Sequence, residues 1–521
     1  MRIGVDVGGT NTDAVLLDGT DVLAAVKMST TPEVERGIEA AIGRLRQQVS
    51  FRGSEISAVM IGTTQLINAL VQAKDLAPTA AVRLGLPDTA GLPPFIDWPS
   101  HLVAAIQGRG FLCHGGFEVD GRPISALRRD EIREVAARIR DSGVAAVAVT
   151  GVFSPVNPAQ EKEVADLIVS VAPDVRITCS ADIGRMGLLE RENAAIVNAT
   201  LRPLAERVVA GLKQVLGNVG IPAPLFLSRN DGTLMNPDHA AQFPVETFAS
   251  GPTNSMRGAA VLAGASDGLV IDVGGTTADI GALRGGRPRE NTTVLRVAGV
   301  RTNFRMPEVL SLGLGGGSLV QRDTESGWTV GPESVGFQLT QKALVFGGHA
   351  MTATDICVAS GRASLGDPSC VAQIPAQTVH DVEAVIRHVI VDGLDRMRLS
   401  SAEVPVIAVG GGSILVPEVL PEIGPIVRPE HFDCANAVGA AITQVGGEID
   451  RVVAVTAEGR NRVLERLQDE AVQAACAAGA DPDSISISEC EEIPLAYSSD
   501  GAVRIRIKAI GDLALRGEEG R

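Results

Sequence analysis

A layered α/β fold built on an internal duplication is predicted by three observations. The pentapeptide DVGGT occurs twice, at residues 6–10 and 272–276. Each copy joins two short apolar segments, as the turn of a β-hairpin does. Around both copies, strand-like and helix-like periodicities alternate, which is the pattern of sheets covered by helices.

The elements follow in order. Residues 2–7 and 13–17 form strands joined by Gly8-Gly9-Thr10-Asn11, a turn expected to need positive φ. After a third strand at 22–28, Thr31 is a good N-cap and Pro32 a good first helical residue. Val34, Ile38, Ala41, Ile42, Leu45 and Val49 recur at helical spacing, predicting a helix over 32–49. A strand at 56–61 ends in Gly62-Thr63-Thr64, and a short helix follows. Strand, strand, strand, helix, strand, helix is the order of an actin-like or hexokinase-like half-domain.

Farther along, a strand at 80–84 precedes a Gly/Pro-rich stretch, 86–123, expected to be irregular. Helix 126–142, strand 144–150, helix 158–171 and strand 175–179 alternate after it. Helical patterns at 187–200 and 202–217 lead to a strand at 224–228. Residues 269–273 and 279–283 repeat the first hairpin, and Gly/Thr-rich loops occupy 312–318 and 347–355. Helix 379–398, strand 405–409, a Gly410-Gly411-Gly412-Ser413 turn and a small-residue helix near 435–445 complete the second half. A helix at 460–478 with strands at 484–488 and 502–509 reads as a small α+β appendage. The expected fold is thus a pair of duplicated actin-like (ribonuclease H-like) domains, 1–180 and 181–458, with 459–521 appended.

Composition narrows the partners. The formal charge is 46 − 62 = −16, which argues against nucleic acid or an anionic membrane, since both need a basic footprint. Seven cysteines are scattered without metal-type spacing, as in a reducing compartment. The chain enters a strand at once, and no stretch approaches the roughly 18 apolar residues of a membrane span. A cytoplasmic location is expected.

The chemistry centres on the repeat. A shift of 266 aligns Asp6 with Asp272 and Asp13 with Asp279, and also matches Val7, Gly8, Gly9, Thr10, Leu17 and Gly19. These are eight identities in fourteen positions, too many for composition alone. Glycines let a backbone approach phosphate, and consecutive N–H groups form an anion nest. Gly8, Gly9, Thr10, Asn11 and Thr12, with Gly274, Gly275, Thr276 and Thr277, are the expected phosphate-binding set. Asp6 and Asp272 are candidate ligands for Mg²⁺ or Mn²⁺, directly or through water; Asp13 and Asp279 are candidates for supporting those ligands or for acting as general base. The absence of a Walker A lysine motif and of GxGxxG opening a βαβ unit disfavours the P-loop and Rossmann readings. Gly410, Gly411, Gly412 and Ser413 suit an adenosine contact, while Gly315-Gly316-Gly317 suits either a nucleotide contact or a structural loop.

Other residues carry two readings each. Thr63, Thr64 and Asn68 stand where a strand yields to a helix, as ligand contacts or as a helix cap. Asp231 suits the cleft or a turn. Glu190, Glu192 and Asn193 suit the cleft or a solvated helix start, and Asp355 a base, a metal ligand or neither. His114 and His349 are expected to be structural.

The string DVGGTNTDAVLLDG resembles the start of the hydantoinase A/oxoprolinase family. Further resemblances are IGTTQLINAL at 61–70, LLERENAAIVNATLRP at 188–203, NDGT at 230–233, SGPTNSMRGAA at 250–260, LGLGGGS at 312–318 and TATD at 352–355. The resemblance implies an actin/hexokinase-type fold, ATP, a divalent cation and a lactam, imide or related amide activated by phosphorylation of its carbonyl oxygen. It is to the separate A subunit rather than to fused oxoprolinases, so a second catalytic, hydantoinase B-like subunit is expected as partner. Two other readings share the cradle, a small-molecule kinase and an ATP-driven reactivase acting on a protein.

Overall fold

The computed structural model describes residues 1–521 except 10, 32, 185, 292–293, 324–326, 401, 443, 455–458, 495–501 and 515–521. The chain opens with β1 (Arg2–Val7), β2 (Asn11–Asp18) and β3 (Asp21–Ser29). Ile3, Val5, Ala14, Val15, Leu16 and Leu17 are fully buried, as strands covered on both faces must be. α1 (Val34–Gln48) lays Ile38, Ala41, Ile42 and Leu45 into the same core. It is capped at Glu33 rather than Thr31, because the Thr31 hydroxyl donates to the Glu33 carbonyl at 2.6 Å; Pro32 lies outside the described residues. β4 (Ala58–Thr63) pairs parallel with β1, and α2 (Gln65–Val71) follows.

The next elements are β5 (Thr79–Leu86), α3 (Ser100–Ala105), β6 (Arg109–His114), α4 (Arg129–Asp141), β7 (Ala146–Gly151), α5 (Ala159–Val171) and β8 (Arg176–Cys179). Their strands make a separate parallel sheet ordered β6-β5-β7-β8. The stretch expected to be irregular therefore contributes a helix and an edge strand. Phe111 and Cys113 alternate inward along β6, a signal its glycine and flanking turns had masked.

α6 (Leu188–Asn218) runs unbroken through Pro203, where two helices were expected. Residues 191–201 are buried all round, and that packing outweighs the roughly 3 kcal/mol that an interior proline costs. β9 (Leu225–Ser228), β10 (Leu234–Met235) and α7 (Pro237–Gln242) precede α8 (Ser250–Ala263). Residues 188–242, grouped from the sequence with the second half, thus supply a core helix and two strands to the first sheet.

The second sheet opens with β11 (Gly268–Val273), β12 (Ala278–Arg284) and β13 (Arg287–Pro288). β14 (Leu295–Val297) and β15 (Val300–Thr302) form a side hairpin, and β16 (Val309–Leu312) pairs with β12. β17 (Ser318–Asp323) and β18 (Gly327–Ser334) form another. α9 (Leu339–Lys342) packs in a small side cluster, while α10 (Ala353–Ala359) and α11 (Ala376–Met397) join the core of the sheet, which continues with β19 (Val406–Val409), β20 (Val419–Leu420) and β21 (Gly424–Val427). Its order is β13-β12-β11-β19-β21-β20, and Ile271, Ile280, Ile386, Ile390 and Leu394 fill its core.

α12 (Ala435–Ala441) ends earlier than the sequence pattern because Val445 already begins β22 (Val445–Ala454). α13 (Arg460–Ala477), β23 (Ser486–Pro494) and β24 (Ala502–Gly511) close the described chain. This α+β segment is joined edge-on to the first sheet, whose order becomes β23-β24-β22-β10-β9-β4-β1-β2-β3. Among the described residues no helix is long and apolar enough to cross a membrane.

The sheets are linked by an exchange of helices. α8 follows strands of the first sheet and packs between the two, on β4 of the first and on β11, β12, β13 and β19 of the second, whereas α12 follows the second sheet and packs on β1, β2 and β4 of the first. The two helices cross backbone to backbone: a Cβ on Gly258 would collide with Ala435 O, and one on Gly439 with Asn254 O.

Candidate active site

Each hairpin places two aspartates directly opposite one another. Asp6 pairs with Asp13 across β1 and β2, and Asp272 with Asp279 across β11 and β12. The turns close identically, Gly8 N donating to Asn11 O at 3.0 Å and Gly274 N to Thr277 O at 2.8 Å. The expected positive φ is absent from Gly8, Gly9 and Gly274. A Cβ on Gly9 would meet nothing within 4 Å, so the space above the turn is open. Thr10 lies outside the described residues.

Like charges facing across a ladder destabilise a sheet, and this cluster is also largely sheltered. Asp6 and Asp13 are only 4% and 5% exposed. Burial, then the neighbouring Asp13 carboxylate, push the Asp6 carboxyl up to about 7. Burial likewise lifts Asp13 to about 6, against the pull of Lys27, whose ammonium donates to its two oxygens at 2.8 and 2.9 Å. Asp272 and Asp279 keep some exposure. Burial raises Asp272, and raises Asp279 to about 6 although the Ser311 hydroxyl donates to it at 2.5 Å.

The helix exchange brings polar groups between the two pairs. Asn254 of α8 faces Asp6, Ser255 faces Asp272, and Asn436 of α12 donates to Asp6 Oδ2 at 3.4 Å. Asp6 Oδ1 and both amide atoms of Asn254 are buried without a hydrogen-bond partner among the described residues. Glycine permits this approach: a Cβ on Gly62 would stand 2.5 Å from Asp6 Oδ1 and Asn254 Nδ2. Gly410, at φ +82, does the same beside Asp272 Oδ1. Orphaned buried polar atoms next to raised carboxyls suit a cation with its waters. Among the described residues no ready group of three metal ligands exists, so Asp6 and Asp272 would hold Mg²⁺ only together with water and phosphate oxygens.

The remaining expected residues separate into two groups. Asn11, Thr276 and Thr277 lie partly or wholly exposed at the turns. The turn Gly410–Ser413 abuts the second hairpin, Gly412 N donating to Val273 O at 2.7 Å, and Gly411 lies against Lys27 of the first sheet. Gly316 N and Gly317 N donate to Gly274 O and Gly275 O at 3.0 and 2.8 Å, so the other triple glycine braces the second phosphate turn. Thr12 is buried beneath its turn against Thr30, at 3.3 Å between hydroxyls. Thr63 Oγ1 accepts from Gln65 N at 3.2 Å, and Asn68 donates to Thr64 Oγ1 at 3.2 Å, both local to the helix start.

Several candidates are committed elsewhere. Asp231 accepts from Thr233 N and Oγ1 and pairs with the buried Lys508 at 2.8 Å. Burial opposes its charge, but Lys508 and Arg229 hold it far below the ordinary carboxylate range. Glu192 is buried in a bidentate pair with Arg83, and Asn193 accepts from Trp98 Nε1 at 2.7 Å, fastening the inserted sheet to α6. Asp355 caps its own helix, accepting from Thr352 N at 2.7 Å and Val345 N at 2.7 Å. Lys27, Asn254, Ser255 and Asn436 were not singled out from the sequence. Lys27 was accessible through hairpin pairing with Asp13, whereas the other three depend on the helix exchange. Two cavities, of about 430 Å³ beside Ile221 and about 320 Å³ beside Phe111, lie away from the carboxylates.

The chain is 26% identical over 390 residues to the caprolactamase subunit alpha of Pseudomonas jessenii, covering 69% of this chain and 54% of that one. It is 26% identical over 405 residues to the acetophenone carboxylase gamma subunit of Aromatoleum aromaticum, covering 69% and 53%. The chain thus spans about half the length of these curated relatives. The crystal structure of the ATP-dependent caprolactamase from Pseudomonas jessenii superposes with a TM-score of 0.79 at 20% identity, over 98% of this chain and 87% of that one. Residues 2–172 match the hydantoinase/oxoprolinase N-terminal region and 191–389 the hydantoinase/oxoprolinase domain. With both regions matched in order along one chain, this protein belongs to the hydantoinase/oxoprolinase family.

Proposed function

We propose that this chain is the nucleotide-binding subunit of an ATP-dependent hydrolase acting on a lactam, imide or hydantoin-like amide. The observation that carries the reading is the pair of in-register aspartate hairpins converging on orphaned polar atoms of α8. The relative named as an ATP-dependent caprolactamase supports the choice of a cyclic amide. ATP, with Mg²⁺ or Mn²⁺, would transfer its γ-phosphoryl group to the amide oxygen, releasing ADP and making the amide carbon a better electrophile for water, after which the C–N bond of the ring breaks. The chain's own residues bind and orient. Backbone N–H groups of the two turns hold phosphate, Asp6 and Asp272 hold the cation, and Asp13 and Asp279 accept or shuttle a proton. Lys27 neutralises Asp13 while reaching Asp433 O at 2.8 Å, tying the first hairpin to the start of α12.

A separate catalytic subunit is part of the proposal, because the relatives at 26% identity are themselves named as subunits. The test is ADP and ring-opened product measured together, with cyclic amides and with any co-purifying subunit present or omitted. Coupled, roughly equal amounts only with the partner support the reading. A stable phosphorylated product formed by the chain alone makes it a kinase instead. A second reading, a ketone carbonyl as the activated group, is favoured by the carboxylase relative; acetophenone with bicarbonate belongs in the same panel.

A further inference from the structure

The two hairpins are alike in sequence but not in what stands beside them. Each aspartate ladder continues onto a third strand. Asp6 faces Asp13, and Asp13 faces Lys27 on β3, whereas Asp272 faces Asp279, and Asp279 faces Ser311 on β16. Ser311 gives Asp279 a hydroxyl donor at 2.5 Å. Lys27 gives Asp13 an ammonium, which donates to Oδ1 at 2.9 Å and to Oδ2 at 2.8 Å. The Lys27 side chain is 29% exposed and that of Asp13 8%, so solvent screens the pair little.

Lys27 also reaches out of its own sheet. Its ammonium donates to Asp433 O at 2.8 Å, in the single helical turn Phe432–Cys434 that leads into α12. Phe432 O in turn accepts from Gly410 N at 2.9 Å. A Cβ on Gly411 would stand 3.7 Å from Lys27 Cε, an ordinary contact distance. The second hairpin meets the Gly410–Ser413 turn directly, Gly412 N donating to Val273 O at 2.7 Å. The first hairpin meets it through Lys27. An ammonium carries three donors, and the two Asp13 oxygens with Asp433 O take all three. None is left for a phosphate, which sets Lys27 apart from lysines that hold nucleotides by pointing their charge at phosphate.

We propose that Lys27 is a positioning residue, a strut that fixes the separation of the first phosphate hairpin from the Gly410–Ser413 turn. It acts through Asp13 and Asp433 and not on the nucleotide itself. The inference rests on the reading that ATP lies between that hairpin and that turn. A strut of this kind supports the whole nucleotide, so its loss is felt whether or not a γ-phosphate is present.

The test is calorimetric titration of the full purified chain with Mg·ADP and, separately, with a non-hydrolysable Mg·ATP analogue. Lys27→Met keeps the reach of the side chain and removes its donors. It should weaken both ligands by the same factor, roughly tenfold or more. Lys27→Arg, whose guanidinium can serve a carboxylate and a carbonyl together, should recover most of the loss. Asp13→Asn combined with Lys27→Met leaves no buried carboxylate unpaired at this position. That double variant should still bind roughly tenfold more weakly than Asp13→Asn alone, in which the strut persists. Unchanged binding by Lys27→Met overturns the proposal, as does Lys27→Arg binding no better than Lys27→Met. A loss confined to the ATP analogue overturns it by placing Lys27 on the γ-phosphate. A double variant that binds as well as Asp13→Asn overturns it by making Lys27 a counter-ion only. All of these results leave the ATP site standing, whereas a wild-type chain that binds neither nucleotide removes the site and the strut with it.

Discussion

Replacing Asp6 by asparagine removes one charge from the centre of the carboxylate cluster while keeping its shape. In the metal-free protein the Asp6 carboxyl moves from 3.8 to about 7, equivalent to about 4 kcal/mol between its protonated and ionised forms. Burial is the main cause and the Asp13 charge the next, so part of the gain will be shared with Asp13. The folded state holds the Asp6 proton more tightly than the unfolded chain does. The associated stability is therefore complete below about pH 4 and is lost as pH rises through about 7. Asparagine does not titrate. Asp6→Asn should thus be more stable than wild type by about 2–4 kcal/mol at pH 8, with a smaller difference at pH 5. Thermal melts in EDTA at both values measure this. Mg·ATP should then raise the wild-type melting temperature and leave the variant unmoved. A variant that is less stable than wild type at pH 8, or equally shifted at both pH values, would refute the reasoning.

Two further outcomes follow from neighbouring geometry. Gly9→Val should fold normally, because its side chain enters open space, and should weaken ATP binding at least tenfold by blocking phosphate; unchanged nucleotide affinity by calorimetry would remove the hairpin from the site. Glu192→Ala should cost about 3–5 kcal/mol by leaving the Arg83 guanidinium buried and unpaired; an unaltered melting curve would mean that the Arg83–Glu192 pair does not hold the inserted sheet on α6.

What could be read in the sequence was whatever depends on short-range pattern. The DVGGT repeat located both hairpins, and even the cross-strand facing of Asp6 with Asp13 is contained in the turn length. Long-range contacts were hidden. Asp231 looked available until β24, nearly three hundred residues later, supplied Lys508. Pro203 looked like a helix boundary because propensity is local, whereas the burial that carries α6 through it is tertiary. Asn254 and Asn436 were not legible as site residues, since they reach Asp6 only through the packing of α8 and α12 against each other between the two sheets. Gly110 and the prolines around it concealed β6, whose inward residues Phe111 and Cys113 are just two in number.

The crossing of α8 and α12 also limits how the molecule can move. Backbone packed on backbone at Gly258 and Gly439 has no side chains to shear past one another. Sliding one sheet along the other would drive Ala435 O or Asn254 O into main chain, so that motion is stiff. Asn254 and Asn436 sit beside that contact and face Asp6. Lengthening either glycine by a single methyl group would therefore wedge α8 and α12 apart and draw both amides away from the carboxylate.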